Sequence, residues 1–393
     1  MAKLIGNAPN QVPTNADLGS MAFEDRKNYA TVNSSIHQPF RNLIINGDMS
    51  IAQRGTSVTG ITSPGYHSLD RFNMNAYNIA SAVYTMEQST DAPIGFYNSL
   101  KLTPTTANGT QDANEQFNIE QYIEAQNIYN LDFYTATADS VTISFYIKTN
   151  NTGTYPISLK LSDNNSISSN TATRLYRTTY TVNSADTWER KTVTLQLDTS
   201  TSETRPTGNN FGMSVLFWFG AGSSRDGGTA NTWEGNGNNC TLADNLNFLG
   251  NTSNEVYLTG VQIEKGTSAS DFEFLPYDVN LQRCQRYYTM IASGTNKLVA
   301  LGGAYSTNNA FFIYYPKVNF RATPSIDVSG GSNYFLLIGH ASSSSVNDFF
   351  LEGQTTNEIV RMANVANFSG TTGSVYFIQT NNANAYVALE AEL

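Results

Sequence analysis

Short runs in which apolar and polar residues alternate, each bounded by turn-forming residues, fill most of this chain. In residues 141–149 Val, Ile, Phe and Ile occupy every second position, with Thr, Ser, Tyr and Lys between them. A two-residue period is typical of a strand with one buried face. Residues 192–198 repeat this period, whereas residues 214–220 are apolar on both faces, as expected for a strand in the middle of a sandwich. The pattern predicts an all-β fold.

The strand-like runs form two groups, which predict two β-sandwiches of unequal size. Many short strands with Asn, Gly and Ser turns, and no helix-length pattern between them, favour a jelly roll for the first group. The sequence predicts a large jelly-roll β-sandwich over residues 37–277, a short linker helix over residues 278–292 and a smaller C-terminal β-sandwich over residues 293–393.

A helical pattern separates the two groups of strands. Leu281, Cys284, Gln285 and Tyr288 follow the i, i+3, i+4, i+7 spacing of one helix face. Asp278 is a candidate cap for the first turn of this helix. Because the helix is short, it needs packing against other parts of the protein to persist.

Two stretches of the chain lack any apolar period. Residues 1–36 are polar and contain prolines, which predicts extended or irregular backbone. They form either a floppy terminus or an anchoring arm that becomes ordered against a partner protein, and we favour the arm. Residues 220–247 form a polar insert that is too long for a tight hairpin, and long loops are usually functional or mobile.

Composition and charge exclude several classes of function. Charged residues make up 14% of the chain, against about a quarter in an average protein, so the surface consists largely of neutral polar groups. Such a surface suits β-rich extracellular and virion proteins. The formal net charge is −10, and no basic run is present. We therefore expect no nucleic-acid partner and no docking on an anionic membrane.

The chain also lacks the apolar stretches that membrane insertion and secretion require. No apolar run is long enough to span a bilayer, and the N-terminal MAKLIGNAPNQVP lacks the apolar core of a secretory signal. We expect a protein that is made in a cytoplasm and stays out of the membrane. Release by lysis, inside a virus particle, fits this pattern.

The cysteines and histidines form no recognisable metal motif. Cys240 and Cys284 have no CxxC spacing, so a disulfide, a metal ligand and a free thiol all stay open, with buried or inert free thiols favoured. His37, His67 and His340 are scattered along the chain and do not resemble a zinc motif.

Three groups of motifs resemble a recurrent group of phage tail and fibre-type virion proteins. They are RNLIINGDMSIAQRG (41–55) with YHSLDRF (66–72), then TGVQIEKG (259–266) with FEFLPYD (272–278) and CQRYY (284–288), and finally VNFRATPSI (318–326) with the terminal AEL (391–393). Their order and spacing match that family over most of residues 40–393. The chain departs from the family where a Pro-Phe-Glu run is common, because Asp271 precedes Phe272 and Glu273 here.

Two further segments add to the resemblance. YIKTNNTGTYPISL (146–159) and DTWERKTVTLQL (186–197) resemble the carbohydrate-binding jelly roll that such proteins carry. ADLGSMAFED (16–25) is similar to sequences near the start of phage fibres, where the N-terminus attaches to the particle.

The resemblance implies a homotrimeric or otherwise oligomeric virion protein with a sugar-facing surface. Its partners would be other virion proteins, bound through the arm, and host surface glycan. We expect a phage tail fibre that mediates adhesion to the host. The alternatives are a capsid decoration or head-fibre protein and a soluble lectin outside any particle. Removal of residues 1–36 distinguishes them, since it would detach the protein from tails, from heads or from neither.

Sugars are bound by aromatic rings that stack on their C–H faces, together with amides and carboxylates for their hydroxyl groups. Trp188 and Trp218 lie in or beside strand patterns, and we interpret both as core residues. Trp233 lies in the polar insert beside Glu234, among Gly and Asn residues. Trp233 is either a loop anchor or a ligand contact, and these two residues are the predicted glycan site.

Carbohydrate-binding jelly rolls often hold a structural Ca²⁺ near their first and last strands. The resemblance therefore implies Asp48, after the Asn46-Gly47 turn, and Glu264, on the closing strand, as candidate ligands. Solvated turn acids are the favoured alternative, and no other cofactor is expected.

An enzymatic role has weaker support in the sequence. A glycosidase needs two carboxyl groups that flank the scissile bond, and Glu120 and Glu124 share a face of one predicted strand. Nothing in the sequence marks them as paired across a cleft. The chain contains no Gly-x-Ser-x-Gly elbow, Walker loop or dinucleotide fingerprint. We therefore expect a binding protein and not an enzyme.

Overall fold

The computed structural model describes residues 40–163, 173–235, 239–242, 247–340, 343–364 and 368–393. The predicted anchoring arm, residues 1–36, lies outside the described residues, as does His37.

The first half of the described chain forms a β-sandwich, here called the N-terminal sandwich. Its strands are β1 (Ser57–Ile61), β2 (Gly65–Tyr66), β3 (Asn73–Tyr77), β4 (Val83–Ser89), β5 (Ser99–Thr106), β6 (Gln116–Glu124), β7 (Ser140–Thr149), β8 (Gly153–Ser162), β9 (Thr173–Val182), β10 (Glu189–Gln196), β11 (Phe211–Ala221), β12 (Trp233–Gly235) and β13 (Val256–Lys265). Short 3₁₀ turns occur at Ala125–Asn127, Tyr129–Leu131 and Phe248–Gly250.

These strands form two antiparallel sheets. One sheet has the order β1-β4-β5-β13-β7-β10, and the other has the order β12-β9-β8-β11-β6-β3-β2. Successive strands pass repeatedly from one sheet to the other, which is the jelly-roll arrangement. The predicted all-β fold with a large jelly roll is confirmed.

The core lies between the two sheets, where the alternating pattern places it. Val141, Ile143, Phe145 and Ile147 of β7 are all buried in it. The ring of Phe145 meets that of Phe217 from the opposite sheet, with centroids 5.0 Å apart. Strand β11 is buried on both faces, as its sequence predicts.

Two of the motifs that resemble phage virion proteins, at residues 41–55 and 259–266, lie side by side in the fold. The amide of Leu43 donates to the carbonyl of Ile263 at 2.9 Å, and that of Val261 donates to the carbonyl of Gly47 at 2.9 Å. The Asn42 amide donates to the Val261 carbonyl at 3.1 Å. A Cβ atom at Gly47 would lie 2.1 Å from the Val261 carbonyl oxygen, so only glycine allows this approach. The paired motifs therefore pack against each other at β13, a central strand of the six-stranded sheet.

The linker helix, α1 (Tyr277–Gln285), is shorter than predicted. Pro276 is its N-terminal cap residue, and Asp278 lies in the first turn, where a carboxylate favours the helix dipole without capping it. The helix ends because residues 288–293 are aromatic and apolar and pair as a strand of the next sheet. Among the described residues, no helix is long and apolar enough to cross a bilayer.

The rest of the chain forms the C-terminal sandwich, which confirms the prediction of a smaller second sandwich. Its strands are β14 (Tyr288–Ser293), β15 (Leu298–Ala304), β16 (Ala310–Tyr314), β17 (Ser325–Val328), β18 (Phe335–Gly339), β19 (Ser343–Val346), β20 (Phe349–Leu351), β21 (Val360–Asn364), β22 (Val375–Thr380) and β23 (Tyr386–Glu390). A three-stranded sheet, β14-β23-β17, packs against a seven-stranded sheet with the order β19-β18-β22-β15-β16-β21-β20.

A buried arginine and a half-buried one connect the two sandwiches. Arg71, on the N-terminal sandwich, forms an ion pair with Glu392, and its guanidinium lies 3.5 Å from the centre of the Tyr287 ring. Arg321, on the C-terminal sandwich, donates to the carbonyl of Asn209 at 3.0 Å. Because a buried arginine needs partners for its charge and its N–H groups, these contacts hold the two sandwiches against each other.

Candidate ligand-binding face

One face of the seven-stranded sheet in the N-terminal sandwich is polar instead of apolar. Side chains two residues apart on a strand share a face, so β3 and β6 each present a row of polar and aromatic groups away from the core. This polar face consists of Asn73, Asn75, Tyr77, Asn118, Glu120 and Tyr122. Register places Asn73 beside Glu120 and Asn75 beside Asn118. The residues between them, such as Met74 and Ile119, are buried in the core.

Glu120 lies at the centre of the polar face and is fully hydrogen-bonded. One carboxylate oxygen lies 2.9 Å from the Lys160 ammonium and accepts from the Ser214 hydroxyl at 2.5 Å. The other accepts from the Asn75 amide at 2.7 Å and from the Tyr122 hydroxyl at 2.8 Å. Burial alone would raise the pKa of Glu120, but Lys160 and these donors outweigh it and lower the pKa. Glu120 is therefore an anion that orients its neighbours.

One end of the polar face reaches the surface. Tyr77, at the end of the β3 row, is 46% exposed, whereas Asn73 and Asn75 are buried, at 9% and 7% exposed. Tyr122 is half-buried, and its ring packs edge-on against Phe211 at 5.5 Å. Amides beside an exposed aromatic ring are the groups that recognise sugar hydroxyls and C–H faces.

The polar insert covers the opposite side of the same sheet face. Leu216 and Trp218 of β11 point away from the sandwich core and form a separate buried cluster with Ala221 and Cys240. Ser158 accepts from the Trp218 indole at 3.0 Å and donates to the Cys240 carbonyl at 3.2 Å. Trp218 is therefore fully buried, as predicted, but beneath the insert and outside the main core.

The predicted glycan residues Trp233 and Glu234 lie on β12, at the edge of this sheet. The Trp233 indole donates to the Gln196 carbonyl at 2.9 Å, and its ring packs against Tyr176 at 5.5 Å, on the side of the core. Glu234 points the other way and accepts from the buried Arg177 at 2.8 Å. Both side chains already have structural partners, and their role in glycan binding stays a prediction.

Trp188 does not lie in the core, contrary to expectation. It is half-buried on the outer face of the six-stranded sheet, where its indole donates to Asp91 at 3.1 Å. Its ring packs against Tyr257 at 6.1 Å, and the Lys148 ammonium lies 4.2 Å from the centre of the Tyr257 ring. Trp188 lies between an exposed turn and the first residue of β10. At a strand end, the alternation of apolar and polar residues does not show whether a side chain is buried.

The structure does not bring the two candidate calcium ligands into one oxygen cluster. Asp48 accepts from Ser50 at 3.0 Å and from Asn280 at 3.0 Å. Glu264 accepts from Ser270 at 2.7 and 2.8 Å, and Arg41 lies 3.6 Å away. Across the described ranges, no three side chains of His, Cys, Asp and Glu converge as metal ligands. Asp48 and Glu264 therefore do not share a site, and the structural ion stays a prediction.

Glu124, the second candidate acid, links the N-terminal sandwich to the end of the linker helix. Arg286 donates to both of its oxygens, at 2.7 and 2.8 Å, and Tyr287 also donates to it. Burial would raise the pKa of Glu124, but Arg286 and Tyr287 outweigh it and lower the pKa. Neither Glu124 nor Glu120 has the raised pKa that a general acid needs at neutral pH.

Both cysteines are free thiols. Cys284 is fully buried in the linker helix, and Cys240, which is part of the polar insert, is half-buried. Burial raises the pKa of both thiols. This lowers the thiolate population on which cysteine reactivity depends.

Most residues of the polar face were missed from the sequence, although a signal was present. Residues 73–77 read Asn-Met-Asn-Ala-Tyr, and residues 118–122 read Asn-Ile-Glu-Gln-Tyr. Both runs carry amide and tyrosine groups at a period of two, and the second adds an acid, so each places polar and aromatic side chains on one face of a strand. The contact with Lys160, from another strand, requires the register and was not predictable.

No protein-family model matches the chain, and no curated protein matches it. Solved structures similar to it include the enzymatically active domain of tailspike protein 4 from bacteriophage CBA120, with 11% identity and a TM-score of 0.28, covering 58% of this chain and 22% of that chain. A sugar-binding protein from Bacteroides thetaiotaomicron matches with 14% identity and a TM-score of 0.32, covering 57% and 100%. A family 11 carbohydrate-binding module from Clostridium thermocellum matches with 8% identity and a TM-score of 0.25, covering 55% and 97%. Identities and TM-scores this low carry no argument about what this chain binds.

Proposed function

We propose that this chain is a non-enzymatic phage virion protein, a tail fibre, that binds host surface glycan through the polar face. The observation that carries the glycan proposal is the row of Asn73, Asn75 and Tyr77, which ends at the exposed Tyr77 ring, beside the ionised Glu120. The tail-fibre assignment is supported by the paired motifs at residues 41–55 and 259–266.

The contacts of Glu120 suggest how the face would recognise a sugar. Because the Asn75 amide donates to both Asn118 and Glu120, and the Tyr122 hydroxyl donates to Glu120, the acceptor oxygens of these two side chains are held in fixed directions. Groups that are oriented before a ligand arrives lose little conformational entropy on binding. Tyr77 supplies a ring for stacking on the sugar C–H face. Such a site binds weakly, and several copies on one particle would strengthen adhesion.

Glycan-array screening of the full chain, followed by calorimetry with the best ligand, tests the binding site. We expect Tyr77→Ala and Asn75→Ala to weaken binding at least tenfold, because each removes a contact to the sugar. Tyr97→Ala is the matched control, since Tyr97 is an exposed tyrosine of the same sandwich and lies off the polar face. Retention of full affinity by Tyr77→Ala and Asn75→Ala would refute the site.

The place of the protein on a particle is tested separately. Deletion of residues 1–36 is expected to detach a tail fibre from tails, whereas a capsid decoration protein or head fibre would be lost from heads. A soluble lectin would keep its function without these residues.

Release of reducing ends from host polysaccharide would overturn the non-enzymatic assignment. A fall in melting temperature on addition of a chelator would support the structural Ca²⁺.

A further inference from the structure

The outer face of the seven-stranded sheet in the C-terminal sandwich is apolar, and the described residues of the chain leave it uncovered. This apolar face consists of Leu298, Leu301, Phe311, Ile313, Leu336, Ile338, Phe350, Val375 and Phe377. Their neighbours along each strand, such as Phe312, Leu337 and Ile378, fill the core on the other side of the sheet. Strands that are apolar on both faces therefore leave one face without a partner.

Register shows that these side chains form continuous rows across the sheet. Ile338 lies beside Phe377, Phe377 beside Leu301, and Leu301 beside Ile313. A parallel row runs from Val375 through Gly303 to Phe311, and Phe350 continues it on the far strand pair. Leu336 and Leu298 flank Gln379 in a third row. The rows lie on consecutive strands, so the apolar surface is continuous except at Gly303 and Gln379.

The side chains on this face are exposed to different degrees. Leu298, Leu301 and Val375 are 61%, 60% and 70% exposed. Ile313 and Phe350 are 37% and 43% exposed, and the other side chains of the face are half-buried. Monomeric proteins rarely expose contiguous apolar patches larger than a few hundred Å².

Charge indicates what covers the face. The chain carries a net charge of −10, so its copies repel one another through most of their surfaces. Along the three rows the charged side chains are Arg361, whose guanidinium lies 4.1 Å from the centre of the Phe311 ring and whose Nη1 donates to Gln354, and Glu352, which lies opposite Arg361 on the edge strand. The two charges balance, so two copies can approach here without net repulsion, whereas a basic partner would find no acidic patch. A glycan would find few polar groups.

We propose that copies of this chain associate with one another through the apolar face. Burial of the leucine, isoleucine and phenylalanine side chains supplies the driving force. The inference deepens the proposed function by naming the surface that brings several glycan sites together, and it depends on association alone. Glycan binding by each separate copy does not enter it.

Light scattering during size exclusion, with the full chain at micromolar concentration, tests this proposal. We expect the wild-type chain to have the mass of an oligomer. Leu301→Glu and Val375→Glu should raise the dissociation constant at least tenfold and give monomers, because they place a carboxylate on the face. Ile94→Glu is the matched control, since Ile94 is fully exposed on the N-terminal sandwich, and it should leave the mass unchanged.

Circular dichroism verifies that each variant is folded, and Leu298→Ser offers a milder change if the glutamates disturb the sheet. A monomeric wild-type chain overturns the proposal, as does an oligomer that survives all three substitutions in folded form. Monovalent glycan binding by Leu301→Glu should equal that of the wild-type chain. A loss of mass with intact sugar binding therefore separates this inference from the polar-face proposal.

Discussion

At the scale of single residues, buried charges in this protein are held by specific partners. Glu120 is fully buried, and its counter-ion Lys160 comes from a strand that is not adjacent to it in the sheet. The sequence indicated the strand that carries Glu120 and the face on which it lies. It could not indicate Lys160, because a pairing across two strands depends on registers that no local pattern encodes.

Lys160→Met should lower the free energy of unfolding by about 3 kcal/mol, because it leaves the Glu120 carboxylate buried without a counter-ion. Lys265→Met is a suitable control. Lys265 pairs with Asp139 at 2.6 Å but is half exposed, and exposed pairs contribute less than about 1 kcal/mol. Urea denaturation of both variants measures the difference. Equal losses in the two variants would contradict this account of Glu120.

Asp70 should make stability depend on pH. Its carboxylate is buried and accepts from the Gln53 backbone amide at 2.8 Å. Burial, the largest cause, outweighs the nearby Arg54 and raises the pKa from 3.8 to about 6. The protonated form is therefore favoured in the folded protein. Its contribution, about 3 kcal/mol, is fully present below pH 4 and is lost as the pH rises through 6.

Comparison with Asp70→Asn isolates this effect from the other acids. Denaturation at several pH values between 4 and 7 should show that the wild-type chain loses stability relative to the variant as the pH rises. A difference between the two chains that stays constant across this range would show that Asp70 has an ordinary pKa.

At the scale of elements, local pattern predicted the strands well and their ends poorly. The linker helix was expected to reach residue 292, but it ends at Gln285, because Tyr288–Ser293 pairs with β23. The helical spacing of Leu281, Cys284 and Tyr288 is real, yet the same residues also begin a strand pattern. Sheet pairing by distant residues decided between the two, which is a tertiary effect that local propensity does not contain.

The close approach of the two paired motifs at β13 leads to a prediction about Gly47. Gly47→Ala should lower the free energy of unfolding by about 2 kcal/mol, because its Cβ would meet the Val261 carbonyl oxygen and the backbone would have to move. Gly109→Ala is the matched control, since a Cβ there meets nothing within 4 Å, and its effect should stay within about 0.5 kcal/mol. Thermal or urea unfolding provides the measurement, and a neutral Gly47→Ala would refute the close packing.

At the scale of the whole molecule, the pattern predicted two sandwiches but not which of their faces would be covered. Runs such as residues 310–315 and 334–339 are apolar at nearly every position and indicate strands buried on both sides. The structure buries one side of each and exposes the other. An apolar face satisfied by another copy has the same sequence signature as one satisfied within the chain.

Ion pairs between the sandwiches should make them unfold together. Arg71 pairs with Glu392, donates to the Tyr122 carbonyl at 2.8 Å and stacks on Tyr287, so it connects three parts of the chain. Burial would lower the pKa of Arg71, but Glu392 outweighs it and raises the pKa, which keeps the cation charged. We expect calorimetry of the wild-type chain to show one cooperative transition.

Arg71→Met should lower the stability by about 3 kcal/mol, because Glu392 loses its closest counter-ion, and should split the calorimetric transition into two. Arg205→Met is the control, because Arg205 contacts Tyr129 and Asp132 within the N-terminal sandwich alone. It should lower the transition temperature without splitting the peak. Two separate transitions in the wild-type chain would show that the two sandwiches unfold independently. An unsplit peak in a destabilised Arg71→Met would show that they unfold together without this contact.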